Sequence, residues 1–274
     1  MTGRSSAAER RTQGKSARGR DFPRRSDGTT PCLIVGALRF SAQVRIHDLN
    51  WMQLEEYLGR DDRIVLPLGS TEQHAYLSLG TDNVLAERLA LDAAEPFGVP
   101  VLPVLAYGVT PLFAAYPGSP SLRVETYAAV VRELLSSLHA QGFRRALVVN
   151  GHGGNSFARA AALEWAAGAD DAQVVWHDWW IGPKVSEACT RLDPVWSHAA
   201  WSENFPWTRL ADAPLPDAPK ESVLPLPPLD ASSFRERVGD GSFGGAYVKP
   251  DDAMLEIWRI AVEETRTLLE DDWR

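Results

Sequence analysis

Ala146-Leu-Val-Val-Asn-Gly-His-Gly-Gly-Asn155 is the stretch on which the fold turns. Its first four residues are apolar and read as a short buried strand, Ala146–Val149. A polar turn with three glycines follows and runs straight into Asn155–Ala167, an alanine-rich segment that reads as a helix. Strand, turn and helix in so few residues make the first part of a βαβ unit. Upstream, Val124–Ala140 carries Tyr127, Val130, Val131, Leu134, Leu135 and Leu138 at helical spacing, with Gly142 placed as a C-cap. Further back come the apolar runs Ile64–Leu68 and Val99–Leu105, separated by a helical segment, Asn83–Ala94. A helix is also predicted over Trp51–Leu58, with Asn50 as N-cap and Gln53 completing a capping box. Downstream, Gln173–Trp176 reads as a fourth strand. Pro250–Leu269 reads as a last amphipathic helix with proline in its first turn. Alternation of this kind predicts an α/β fold with a mostly parallel sheet covered by helices. Pro206–Gly241 is rich in Pro, Asp and Ser, shows little periodicity, and reads as a long irregular excursion over the site or at a subunit contact.

Composition narrows the function. The chain has 274 residues, 45% of them hydrophobic, and a net charge of −8. Residues 1–27 hold eight Lys/Arg against three Asp/Glu, a net of +5, so the remainder carries −13. Residues 1–30 therefore read as a disordered basic arm, and structure is expected to begin near Cys32–Val35, with a single catalytic domain over 31–274. So acidic a body repels phosphate backbones, which argues against nucleic-acid binding. No apolar run is long enough to span a membrane, and the arm lacks the apolar core of a secretory signal. Two cysteines, Cys32 and Cys189, are too few for a disulfide framework and point to a reducing cytoplasm.

Three polar segments follow predicted strands, which is where ligands bind in open α/β sheets. The first runs from Leu66 through Glu72, Gln73 and His74 to Thr81 and Asp82. Glu72 and His74 are two apart, so in an extended loop both side chains can face one ion. Alternatively Asp82 is only an N-cap and the other two lie on a polar loop. The second is Asn150-Gly-His-Gly-Gly-Asn155, either a close-approach site around His152 or a plain turn. A phosphate cradle is disfavoured, because neither G-x-G-x-x-G nor a Walker lysine is present. The third is His198-Ala-Ala-Trp-Ser-Glu203, undistinctive alone. Together the segments offer two histidines and three carboxylates beside strand ends, a nitrogen and oxygen set suited to zinc or manganese, with iron also tolerated. Trp176, Trp179, Trp180, Trp196 and Trp201 crowd around the third segment. They are either packing or an aromatic wall, and Trp179, Trp201 and His177 are the candidate substrate contacts.

Gly69-Ser-Thr-Glu-Gln-His74 with Thr81-Asp82, then Asn150-Gly-His-Gly-Gly-Asn155, then His198-Ala-Ala-x-x-Glu203 resembles the creatininase family of creatinine amidohydrolases and relatives. Tyr107-Gly-Val-Thr110 and Tyr116-Pro-Gly118 add to the likeness, which covers most of residues 45–270. The resemblance implies a three-layer αβα sandwich, assembly as a homo-oligomer (often a hexamer) and a hydrolytic site with two divalent metals per chain. By position, Glu72 and His152 would hold one metal, His74 and Glu203 the other, and Asp82 would bridge. His198 is the implied proton donor, with Glu203 second. The implied substrate is a small cyclic or formyl amide; some family members resemble peptidases that trim short peptides. Two departures stand out. Glu72-Gln-His-Ala-Tyr-Leu-Ser-Leu79 is one residue shorter than the family pattern and lacks its second histidine. Gly154 stands where true creatininases carry a metal-binding Glu, so creatinine itself is not the expected substrate.

Overall fold

The computed structural model describes residues 44–271 and 273. The basic arm, residues 1–30, and the expected start near Cys32–Val35 lie outside the described residues. Three strands, β1 (Arg63–Leu68), β2 (Arg145–Asn150) and β3 (Gln173–Asp178), form a parallel sheet in the order β1-β2-β3. The register aligns Leu68 with Asn150 and Asn150 with Asp178. All three strands therefore end on one row, and the loops leaving them share one edge of the sheet.

Helices cover both faces. In chain order they are α1 (Trp51–Leu58), α2 (Thr81–Ala94), α3 (Val124–Gln141), α4 (Phe157–Ala167), α5 (Pro183–Leu192), α6 (Ala231–Val238) and α7 (Asp251–Asp271). Successive strand residues point to opposite faces, and the core divides accordingly. Val65, Leu147 and Val149 pack with Leu85 and Leu89 of α2, Val185 of α5 and Trp258 of α7. Ile64, Leu66, Ala146 and Val148 pack with Tyr57 of α1, Tyr127 and Leu135 of α3, and Ala158 of α4. The result is a three-layer αβα sandwich. Burying side chains such as Leu66 and Leu147 contributes about 1.5–3 kcal/mol each.

Local signals act where expected. Asn50 and Gln53 form both halves of the capping box of α1. Gly142 ends α3 at φ 113°, a left-handed conformation that glycine takes at no steric cost.

Two expectations are corrected and one element is added. Val99–Leu105 is not a continuous strand but touches β1 through isolated parallel bridges at Val101 and Leu105. Pro100 and Pro103 lack the N–H a ladder needs, so the run contributes alternate groups. Pro100 O accepts from Val65 N, and Leu102 N donates to Val65 O. Residues 206–241 are not wholly irregular: Asp230 caps α6 by accepting from Ser232 N and Ser233 N, and Phe234 and Val238 are buried. Helix α5 was not foreseen. It starts with Pro183 after Gly182 and buries Val185, Ala188 and Cys189, an i, i+3, i+4 face.

Candidate metal centre

The loops after β1 and β2 and the start of α2 bring Glu72, His74, Asp82 and His152 together, all buried. The short helical turn at Trp201–Glu203 adds Glu203, whose side chain is 18% exposed and opens onto a cavity. The geometry divides around Asp82. His74 Nε2 lies 3.0 Å from Asp82 Oδ1 and 3.7 Å from Glu203 Oε2. His152 Nδ1 lies 3.2 Å from Asp82 Oδ2 and 3.1 Å from Glu72 Oε1. Among the described residues three potential ligand groups result: Glu72–Asp82–His152 and His74–Asp82–Glu203, which share one carboxylate, and Glu72–His74–His198.

The other ring nitrogen of each histidine meets a backbone carbonyl. His74 Nδ1 is 3.2 Å from Glu72 O, and His152 Nε2 is 3.0 Å from Val109 O. A carbonyl only accepts, so each ring donates there, and its other nitrogen faces the carboxylates, where it carries either a proton or a metal ion. That is the usual support of a metal-bound imidazole.

The donor set fits a cation. With both rings neutral, three enclosed carboxylates carry −3, which is costly without a counter-charge. Glu72 Oε1, His74 Nε2 and Asp82 Oδ2 are buried without a hydrogen-bond partner, although His74 Nε2 is only 3.0 Å from Asp82 Oδ1. Close atoms lacking hydrogen-bond alignment are arranged as ligands around a common centre.

The protonation equilibria express the same demand. Burial disfavours a charged His74, but Asp82, Glu203 and Glu72 outweigh it and hold the ring at about 10. His152 is also raised well above its ordinary value, against burial, by the adjacent carboxylates of Asp82 and Glu72. Burial would raise Asp82, but His74 and His152 pull it well below the carboxylate range. Glu203 is pushed up to about 7 by burial and by the charges of Asp82 and Glu72, against His74 and the Ala199 N–H.

His198 sits beside the cluster. Its ring is 4.5 Å from that of His74 and stacks on Phe113 at 4.8 Å. Its Nε2 is 3.0 Å from Gln73 Nε2 and 3.2 Å from Gln73 O. Its enclosed position, and then the charge of His74, press its pKa well below the usual histidine value. Among the described residues, Ala75 and Ala199 are the non-glycine residues in the left-handed region, at φ 50° and 55°. Each directly follows a site histidine, His74 or His198, and such strain concentrates at functional sites.

Behind the cluster lies a polar scaffold built on Asn150 and Asn155, which the Asn150–Asn155 motif contains without a role for either. Asn150 Nδ2 donates to His152 O at 2.8 Å and to Asp178 Oδ1 at 2.7 Å. Asn155 Nδ2 donates to Gly69 O, and Asn155 Oδ1 accepts from Val109 N. Asn155 thus ties the β1 loop to the segment whose carbonyl orients His152. The available signal was three polar residues, Asn150, Asn155 and Asp178, at or just past the strand ends.

A cavity of about 610 Å³ borders the cluster and is lined in part by Glu72, Asp82, His152, His198, Glu203 and Trp179. Two expected substrate contacts lie elsewhere. Trp201 is fully buried in the core, with Nε1 donating to Val195 O at 2.9 Å, and His177 is buried in β3; neither lines the cavity. Trp180 and Trp196 do line it, whereas Trp176 donates to Asp178 Oδ1 from the far core.

An αβα sandwich with a carboxylate–imidazole cluster at the carboxyl ends of parallel strands defines an α/β protein with a candidate metal centre. Residues 47–247 match the family model for creatininase, described as creatinine amidohydrolase, and the chain belongs to the creatininase family. It is 29% identical to a creatinine amidohydrolase of Pseudomonas putida over 56% of this chain and 64% of that protein. It is 36% identical to a mycofactocin precursor peptide peptidase of Mycolicibacterium smegmatis over 36% of this chain and 43% of that protein. The matches thus span less than two thirds of either relative. A solved mutant type II creatininase aligns over 84% of this chain and 98% of its own, with TM-score 0.72 and 23% identity. A creatininase described as the manganese form aligns equally widely, with TM-score 0.69 and 23% identity.

Proposed function

We propose that the protein is a metal-dependent amidohydrolase that cleaves the C–N bond of a small cyclic or formyl amide. One observation carries the reading: the two oxygens of Asp82 face different histidines, at 3.0 and 3.2 Å, with a further carboxylate on each side. Two divalent cations (zinc, manganese or iron) suit this set, Glu72 and His152 holding one, His74 and Glu203 the other, and Asp82 both. When bound, such ions bring the pKa of water toward neutrality and polarise an amide carbonyl.

The chain's own residues supply the rest. Glu72 O and Val109 O fix the tautomers of His74 and His152. Phe113 and Gln73 hold the His198 ring beside the cluster. His198, neutral at rest because its pKa is depressed, is placed to take up a proton from the attacking water and pass it to the leaving nitrogen, which as an anion would leave poorly, and Glu203 is the second candidate. Trp179 supplies part of the substrate wall. Gly154 offers no carboxylate, so creatinine is not the proposed substrate.

A second reading, trimming of a short peptide, is favoured by the likeness to the peptide peptidase and by a cavity roomier than a small ring needs. Comparing turnover of small amides and short peptides separates the two. Absence of turnover with metal bound would leave a metal-binding module. Family membership supports a homo-oligomer, hexameric by resemblance, and the thiol composition supports a cytoplasmic location. Residues 31–274 are read as one catalytic domain.

The test is elemental analysis of the wild type and Asp82→Ala, both purified without added metal. About two divalent ions per chain, lost in the variant, is the expected result. No metal after reconstitution of the wild type would overturn the proposal.

A further inference from the structure

We infer that the substrate is a neutral amide bearing a bulky apolar substituent, and that the cavity rejects a free carboxylate on that substituent. The inference rests on the metal-dependent hydrolase reading and names the substrate class of that site.

Size is the first argument. At about 30 Å³ per water-sized group, a cavity of about 610 Å³ has room for about 20 such groups. A small polar ring would leave most of it filled with water against apolar walls, at a cost that an apolar substituent removes.

The walls themselves are the second argument. Away from the ligand cluster the cavity is bounded by Pro111 and Phe113 on one segment, Val185 and Cys189 of α5, and Trp196 and Phe243. At the lining, Leu112, Phe157 and Ile181 are 44%, 60% and 55% exposed. One exposed apolar residue is ordinary, but three around the same cavity extend its apolar surface outward.

Charge is the third. Among the described residues no lysine or arginine lines the cavity, and its charged groups are the carboxylates Glu72, Asp82 and Glu203 with the site histidines. A substrate carboxylate lodged among the apolar walls would lose its hydration and find no cation there. What the wall offers instead is neutral: the polar side chains that line it outside the ligand cluster are Thr110, Ser197, Ser202 and the indoles of Trp179, Trp180 and Trp196. A neutral substituent loses little on entering such surroundings; a free acid loses its hydration. The reaction is a simple hydrolysis, amide plus water giving carboxylic acid plus amine, so no further reactant is required.

The test uses metal-loaded full-length protein and hydroxamates, whose head groups bind divalent metals, titrated by calorimetry at pH 7. Acetohydroxamate reports the metal centre alone. Straight-chain hydroxamates of increasing length report the wall, and a member ending in a second carboxylate reports its charge preference. The expected result is a gain of about 4-fold in affinity per added methylene until the cavity is filled. The carboxylate-ended member should bind at least ten-fold more weakly than its methyl-ended counterpart of equal length. A flat series, or equal binding of the two ends, overturns the inference while acetohydroxamate binding leaves the hydrolase reading standing. If acetohydroxamate and every longer member fail to bind the metal-loaded protein, both fall.

Discussion

Replacing Gly154 with alanine should damage the metal centre without adding or removing a single ligand. A Cβ built at Gly154 would lie 1.9 Å from Val109 O and 2.4 Å from His152 Nε2, whereas real Cβ atoms essentially never come within 3.0 Å of such neighbours. Val109 O must therefore retreat by at least 1.1 Å, the difference between 3.0 and 1.9 Å. That carbonyl accepts from His152 Nε2 at 3.0 Å, so a displacement of this size breaks the bond. The lost hydrogen bond costs about 1 kcal/mol, and the strain of an overpacked backbone adds about 1–3 kcal/mol. For a domain of this size the total lowers Tm by roughly 5–15 °C. Freed from its carbonyl, His152 loses orientation, and loss of such support typically weakens metal affinity by about 10–100-fold. Differential scanning calorimetry and competition against a chromophoric chelator read the two effects separately. Gly153→Ala is the control, since its added Cβ meets nothing closer than Trp180 at 3.8 Å. Its Tm and metal affinity should stay at wild-type values. Unchanged metal affinity in Gly154→Ala would refute the argument that Val109 holds His152 in place.

Three further outcomes are expected. His198→Ala should lower turnover by about 10²–10⁴-fold while elemental analysis finds the metal content nearly normal; loss of metal would make His198 a ligand or a prop instead. Asn155→Ala leaves Val109 N, Gly69 O and Asn150 Oδ1 each short of a partner in a fully buried setting, and should cost about 3 kcal/mol in urea unfolding. His177 gives a pH signature. Burial depresses its pKa from 6.5 to about 4, against the charge of Asp178. The unfolded chain then binds more protons than the folded one between those values, so stability present above pH 6.5 is lost as pH falls toward 4. The loss is about 3 kcal/mol. The stability difference between wild type and His177→Gln should shrink by that amount from pH 7 to pH 4; a difference independent of pH would show that the ring is not held neutral.

Most of the fold was legible because its signals are local or periodic. The helix over Trp51–Leu58 follows from Asn50, Gln53 and an apolar face, and every one of those features acts within four residues. The strands were readable as short apolar runs because a parallel sheet buries both faces. Val99–Leu105 was overread for the same reason: its hydrophobicity matches a buried strand, while Pro100 and Pro103 limit its pairing to single bridges. Helix α5 was missed because a two-turn apolar face of Val185, Ala188 and Cys189 is too brief to establish a period.

The proposed ligands were legible in the sequence and their supports were not. Glu72, His74, Asp82, His152 and Glu203 are marked by type, by place after strands and by the family resemblance, and the structure brings the five together. The tryptophans did not sort themselves, because sequence crowding places Trp179 and Trp201 together whereas packing puts one on the cavity and the other wholly in the core. The hardest feature to foresee was the pairing of Gly154 with Val109, residues 45 positions apart in sequence. Read from sequence, Gly154 was a missing carboxylate, a simple subtraction from the family pattern. In three dimensions the space where its side chain would begin is taken by a carbonyl that orients His152. Restoring Glu at 154 must therefore displace that carbonyl before its carboxylate can reach the cluster. A metal-binding carboxylate at position 154 and the Val109 carbonyl in its present place are alternatives rather than additions. It follows that Gly154→Glu alone should not confer creatinine hydrolysis, and that a compensating change at or beside Val109 has to come with it.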